Sequence, residues 1–158
     1  MNRVGNGYDI HRTQSGLTLV LGGLPLPASF GLVGHSDADV LTHAIIDAIL
    51  GASAEKDIGR WFPDDDPQFK DANSLDLLKH IISKLSQRNL KIHNIDSTVI
   101  CERPRLAHFI DYIRENLATA LEIPIDCVSI KAKSNERIGE IGAGKAIAAI
   151  ATVLIDID

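Results

Sequence analysis

Lys145-Ala146-Ile147-Ala148-Ala149-Ile150-Ala151-Thr152-Val153-Leu154-Ile155-Asp156-Ile157 closes the chain and decides how the rest must be arranged. Alternate residues of an extended strand leave opposite faces. Ile147, Ala149, Ala151, Val153 and Ile155 fall on one side; Ala146, Ala148, Ile150 and Leu154, with Thr152 among them, fall on the other. A strand that is apolar on both faces is expected to be covered on both.

Three stretches with helical spacing are available to cover one face. The first follows Gly34-His35-Ser36-Asp37-Ala38-Asp39, where Ser36 reads as an N-cap with Asp39 completing a capping-box-like signal. Its stripe is Val40, Leu41, Ala44, Ile45, Ala48 and Ile49, ending near Gly51 or Ala54. The second runs from Ser74 to Arg88 with Leu75, Leu78, Ile82 and Leu85. The third carries Leu106, Phe109, Ile110, Ile113, Leu117 and Leu121, with Pro104 in its first turn. With so few helices, the second sheet face is expected to meet another copy of the chain.

Other strands are expected at residues 2–11, 91–101 and 127–132, with a short hairpin from Thr18 around Gly22-Gly23 whose prolines confine it to an edge. Gly5 and Gly7 weaken the first strand unless something must approach closely. Residues 55–73 show no periodicity and read as a long, functional or mobile loop.

The 158 residues carry 45% hydrophobic and 23% charged side chains and a net charge of -5, a balance that gives a nucleic-acid partner no support. No apolar run approaches the roughly 20 residues that span a bilayer, so no membrane association is expected. The N-terminus has no signal-peptide pattern, and Cys101 and Cys127 lie in apolar strand-like runs. Reduced thiols and a cytoplasmic location are therefore expected.

Asp9 and His11, two apart in a strand, share a face, and His43 sits on the first helix with Asp39 and Asp47 one turn to either side. Asp9, His11 and His43 make a three-ligand oxygen–nitrogen–nitrogen set of the kind zinc takes, with one position left open. Asp39, Asp47 or backbone carbonyls are expected to orient His43. His35 has two readings, a fourth ligand or an anion contact beside backbone N–H groups of Ser36 and Asp37, and the second is favoured. No nucleophile motif is present. Glu136, after a strand, suits a second divalent ion shared with substrate phosphates.

The motifs Gly-Tyr-Asp-Ile-His (7–11), Gly-His-Ser-Asp-Ala-Asp-Val (34–40) with His43, Asp-Ile-Gly (57–59), Phe-Pro-Asp (62–64) and Lys-Ala-Lys-Ser-Asn-Glu (131–136) occur in this order. In that conjunction the chain resembles the 2-C-methyl-D-erythritol 2,4-cyclodiphosphate synthase family of the non-mevalonate isoprenoid pathway, over nearly its whole length. The resemblance implies an α/β (α+β) fold, one domain over 1–158, with a mixed four-stranded sheet, helices on one face and a homotrimer through the other. Active sites would lie between neighbouring subunits.

It further implies zinc or manganese on Asp9, His11 and His43, and magnesium or manganese held through the substrate diphosphate by Glu136. The reaction implied is attack of a 2-phosphate on the β-phosphorus of a cytidine diphosphate arm, releasing CMP. By match, His35, Ser134 and Glu136 are catalytic, His35 and Ser36 hold phosphate or the erythritol, and Ser134 meets phosphate. Asp57 and Gly59 meet ribose. Phe62, Pro63 and Asp64 line the substrate, and Cys101, Pro104, Arg105, Leu106, Ala107, Ala132 and Lys133 enclose cytosine. The family's frequent arginine in the late loop is Ala143 here. The other readings are a zinc-dependent phosphoesterase using water and a non-catalytic trimer stapled by a structural metal.

Overall fold

The computed structural model describes residues 1–158. Its main sheet has the order β4-β1-β7-β5-β6, built from Phe30–Leu32, Asn2–Ser15, Ala146–Asp156, Lys91–Ile100 and Val128–Lys133. β1 and β5 flank β7 antiparallel and β6 joins β5 in parallel, so the sheet is mixed. It has five strands rather than the four expected. β1 runs on to Ser15 and pairs its far end with β4, Thr13 opposite Leu32 and Ser15 opposite Phe30. Phe30-Gly31-Leu32 is too short for alternation to be visible, and its central glycine hides it further. β2 (Leu19–Leu21) and β3 (Leu24–Leu26) form a separate hairpin. Gly22 and Gly23 both have positive φ at its turn, as a tight two-residue turn requires.

The register sorts the sheet into two faces. Gly5, Gly7, Asp9 and His11 of β1 stand beside Val153, Ala151, Ala149 and Ile147 of β7, on the side covered by α1 (Val40–Ala52). A methyl group at Gly5 would meet Ala48 O at 1.8 Å, so α1 lies almost on the strand backbone. The glycines that weaken β1 as a strand are what let the helix approach. α3 (Ser74–Leu85) and α4 (Ile110–Leu121) extend the same layer, and Leu78, Ile81, Ile113 and Leu117 are fully buried beneath them. The opposite face is open: Val4, Tyr8, Ile10 and Ile150 are 68%, 54%, 43% and 39% exposed. β7 is thus covered by α1 along one side, while on the other only its Ala146–Ala148 end is buried.

Three local expectations need correction. α1 begins at Val40 with Asp39 as N-cap, because Ala38 takes a left-handed conformation (φ 55°) and breaks any helix begun at Ser36. Pro104 follows a cis peptide bond in a turn ahead of α4 and is not in that helix's first turn. The loop of residues 55–73 contains a short helix, α2 (Ile58–Trp61), and a 3-10 turn at Pro67–Phe69, and the late glycine loop contains another short helix, α5 (Gly139–Gly142).

Candidate active site

Asp9, His11 and His43 converge. The backbone of β1 carries the first two toward α1, and the glycine contacts bring the helix close enough for His43 to meet them. His11 Nε2 lies 2.9 Å from Asp9 Oδ2, and His43 Nδ1 lies 3.1 Å from the same oxygen. The two ring nitrogens are 3.3 Å apart, and the rings meet edge to face at 5.4 Å. Gly34 makes room for the His11 ring, since a methyl group there would sit 3.1 Å from its Cε1.

The outer nitrogens are already engaged. His11 Nδ1 is 2.8 Å from the Val33 carbonyl, which can only accept, so Nδ1 carries a proton and Nε2 is the nitrogen left to meet Asp9 or a cation. His43 Nε2 is 2.9 Å from Ser74 Oγ and 3.1 Å from Ser36 Oγ. One carboxylate oxygen and two imidazole nitrogens within 4.8 Å of one another, each ring fixed from behind, fit a divalent cation. Burial pushes Asp9 up, but hydrogen bonds and charge from the two histidines outweigh it and hold the carboxyl well below the usual range. Burial pulls His11 down, and the hydrogen bond and charge of Asp9 more than reverse it.

The group opens into a cavity of about 380 Å³ that His35, Ser36, Gly59, Phe62 and Asp64 also line. A second cavity, about 560 Å³, is lined by Cys101, Pro104, Arg105, Leu106, Ala107, Ala132, Lys133 and Ser134, together with Glu102 and Ile110. No residue lines both. Burial, with the charge of Glu102 behind it, pushes the Cys101 thiol up to about 11, so it stays protonated and is no nucleophile. Ser134 Oγ donates to Glu136 Oε1 at 2.5 Å at the mouth of the loop after β6.

A family model described as the YgbB family matches residues 2–156. A 2-C-methyl-D-erythritol 2,4-cyclodiphosphate synthase of Gloeobacter violaceus is 51% identical over 154 residues, covering 98% of this chain and 94% of its own. The chain belongs to the YgbB family. Among solved structures, the CDP complex of IspF from Plasmodium falciparum superposes with a TM-score of 0.87 at 34% identity, covering 99% of this chain and 97% of that one. The bifunctional IspDF of Campylobacter jejuni superposes at 0.95 with 35% identity, covering all of this chain (100%), which spans 43% of the longer protein. The curated relatives are 2-C-methyl-D-erythritol 2,4-cyclodiphosphate synthases, and this chain is an enzyme with them.

Several residues singled out in the sequence make other contacts in this structure. Asp39 does not orient His43: it is fully buried and accepts from Gly22 N, Gly23 N, Thr42 N and Thr42 Oγ1 at 2.7–3.0 Å, tying the hairpin turn to the start of α1. Asp47, raised by burial first, accepts from Ile58 N and tethers α2. The Asp37 N–H, expected to be free for an anion, donates to Ala72 O. Asp57, Pro63 and Glu136 line neither cavity, and the Asp57 carboxylate caps α2 through Arg60 N. His35 Nε2 is 3.1 Å from Asp66 O, which ties it to the long loop. Two contributors were not anticipated. Ser74 reads in the sequence only as a helix start, and Glu102, which accepts from Asn135 N, carries no motif.

Proposed function

We propose that the chain converts 4-diphosphocytidyl-2-C-methyl-D-erythritol 2-phosphate to 2-C-methyl-D-erythritol 2,4-cyclodiphosphate and CMP, as a cyclising phosphorus–oxygen lyase. The observation that carries this is the convergence of Asp9 Oδ2, His11 Nε2 and His43 Nδ1 in a YgbB chain whose sequence carries no nucleophile motif. The substrate brings its own nucleophile. An oxygen of the 2-phosphate attacks the β-phosphorus, the bond from that phosphorus to the bridging oxygen breaks, and CMP leaves with the bridging oxygen. Orientation then replaces covalent catalysis.

Zinc or manganese on Asp9, His11 and His43, and magnesium or manganese on the diphosphate beside Glu136, would supply Lewis-acid neutralisation of the phosphate charge. His35 and Ser36 hold phosphate and the erythritol beside the trio. Ser134 and Glu136 face the diphosphate from the other side. Asp57 and Gly59 take the ribose, and Phe62, Pro63 and Asp64 wall the substrate loop. The second cavity takes cytosine, with the backbone of residues 104–107 and 132–133 set against its edge.

The two cavities have no lining residue in common, which fits a substrate bridging one cavity of one subunit and the second cavity of its neighbour. The exposed Val4, Tyr8, Ile10 and Ile150 supply an apolar face for such an assembly, a homotrimer in the cytoplasm. Incubation of the cytidine diphosphate substrate with magnesium, followed by phosphorus NMR, tests the proposal. Cyclic diphosphate with CMP is the expected product. Linear phosphates would point instead to a phosphoesterase, and no turnover with metal bound to a structural role.

A further inference from the structure

His43 serves a cation only if its Nδ1 is unprotonated, and two neighbours pull its proton in opposite directions. Asp9 Oδ2, 3.1 Å from Nδ1, offers an acceptor that favours the proton on the inward nitrogen. Ser74 Oγ, 2.9 Å from Nε2, decides the opposite case, because its own proton is already committed. The Ser74 hydroxyl donates to Asp37 Oδ1 in a short contact, and a carboxylate cannot donate back. The oxygen can therefore only accept from His43, which places the ring proton on Nε2. Asp37 is itself held: its Oδ2 accepts from Ser74 N at 3.0 Å and its Oδ1 from Asp39 N at 3.1 Å. Ser74 is fully buried, so no water substitutes for its hydroxyl. Ser36, 3.1 Å from the same nitrogen, accepts from Ala38 N and is free to turn its own proton either way.

We infer that Ser74 and Asp37 are positioning residues of the metal centre, a carboxylate–hydroxyl relay that fixes the His43 tautomer against the pull of Asp9. The inference rests on the reading of Asp9, His11 and His43 as ligands. It also joins that centre to the root of the 55–73 loop. Ser74 opens α3 directly after the loop, whose last residues bond back to residues ahead of α1 (Asp71 N to His35 O, Asp37 N to Ala72 O). The opposed tautomers of His11 and His43 then have opposed causes, a backbone carbonyl for one and a carboxylate-polarised hydroxyl for the other.

Two variants separate the relay from general structure. Ser74→Ala removes the acceptor; Asp37→Ala keeps the hydroxyl but frees its proton to turn toward His43. Long-range proton–nitrogen NMR of the metal-free protein at alkaline pH, where both rings are neutral, reads the tautomer directly. Wild type should show His43 protonated on Nε2, and each variant should move the proton toward Nδ1. Competition against a chelating dye should show zinc affinity reduced by about 10- to 100-fold in each. An unchanged tautomer in either folded variant, or a shifted tautomer with unchanged zinc affinity, would overturn the inference. Should one variant not fold, the other decides. Wild type that binds no zinc yet keeps the Nε2 tautomer would refute the metal reading instead, and with it the purpose of the relay.

Discussion

Gly7 of β1 lies directly against the carbonyl of Ala44 in α1: a methyl group on Gly7 would approach that oxygen to 1.9 Å and Ala48 N to 2.7 Å. Both atoms are backbone, so neither can turn aside. The helix that carries His43 and the strand that carries Asp9 and His11 are held at this spacing by the missing side chain. Gly7→Ala should destabilise the chain by about 3 kcal/mol, at the upper end for overpacking. Because the whole helix must lift, it should weaken metal binding as well. Urea unfolding and chelator competition measure the two effects, and an unchanged midpoint would show that α1 does not depend on this contact.

Asp39 should be equally costly to remove. Asp39→Ala strips an N-cap and leaves Gly22 N and the Thr42 donors buried, and Gly23 N half-buried, without their acceptor. Each buried donor left unpaired costs about 1–3 kcal/mol, so a loss of at least about 3 kcal/mol is expected. Turnover per folded molecule should fall far less than stability does. Calorimetry alongside activity at low temperature makes the comparison.

Most of the candidate metal site was legible because Asp9, His11 and His43 obey local periodicities. Asp9 and His11 are two apart in a strand, and His43 lies just inside an apolar helix. Of the residues lining the second cavity, Ala132, Lys133 and Ser134 belong to a motif, Cys101 and Pro104 to Ala107 were expected only through the family resemblance, and Glu102 and Ile110 were not expected. The support for His43 was not legible, since Asp37 and Ser74 are 37 residues apart and meet only once α1 and α3 have docked. The helix start was misplaced for a similar reason. Asp39 is drawn out of the first turn by the glycine N–H groups of a hairpin that no capping pattern mentions. The fifth strand was hidden by its three-residue length.

Acidity should act on the metal-free and metal-loaded proteins in opposite ways. In the metal-free chain His11 is raised above 6.5, so its contribution is fully present below that value and is lost as pH rises through the raised one. Asp9 is lowered from 3.8, so its contribution is present above that value and is lost as pH falls through the depressed one. Their joint stabilisation is therefore greatest between the two ordinary values. A cation displaces the His11 proton, so apparent zinc affinity should rise by up to roughly tenfold per pH unit through the His11 range and then level off. Thermal melts and chelator competition across pH test both halves; affinity independent of pH would contradict the ligand assignment.

Glu102 should matter more to turnover than to stability. Its Oε2 accepts from Asn135 N at 3.1 Å, at the start of a loop in which Glu136 and Arg137 both hold left-handed conformations (φ 50° and 62°). Such residues cost of order 1–3 kcal/mol each unless their surroundings hold them. Glu102→Ala should release Ser134 and Glu136 from their set positions, lowering kcat by about tenfold, the equivalent of about 1.4 kcal/mol. The melting temperature should move by only a few degrees. Steady-state kinetics with a melting curve decides, and unchanged kcat would free Glu102 of any positioning part.

Turnover in water enriched in heavy oxygen tests most directly whether the substrate supplies the nucleophile. With purified chain, magnesium and the cytidine diphosphate substrate, mass spectrometry should find no heavy oxygen in either CMP or the cyclic diphosphate. Heavy oxygen in the phosphate products, with linear rather than cyclic diphosphate, would show that water attacks and would contradict intramolecular cyclisation.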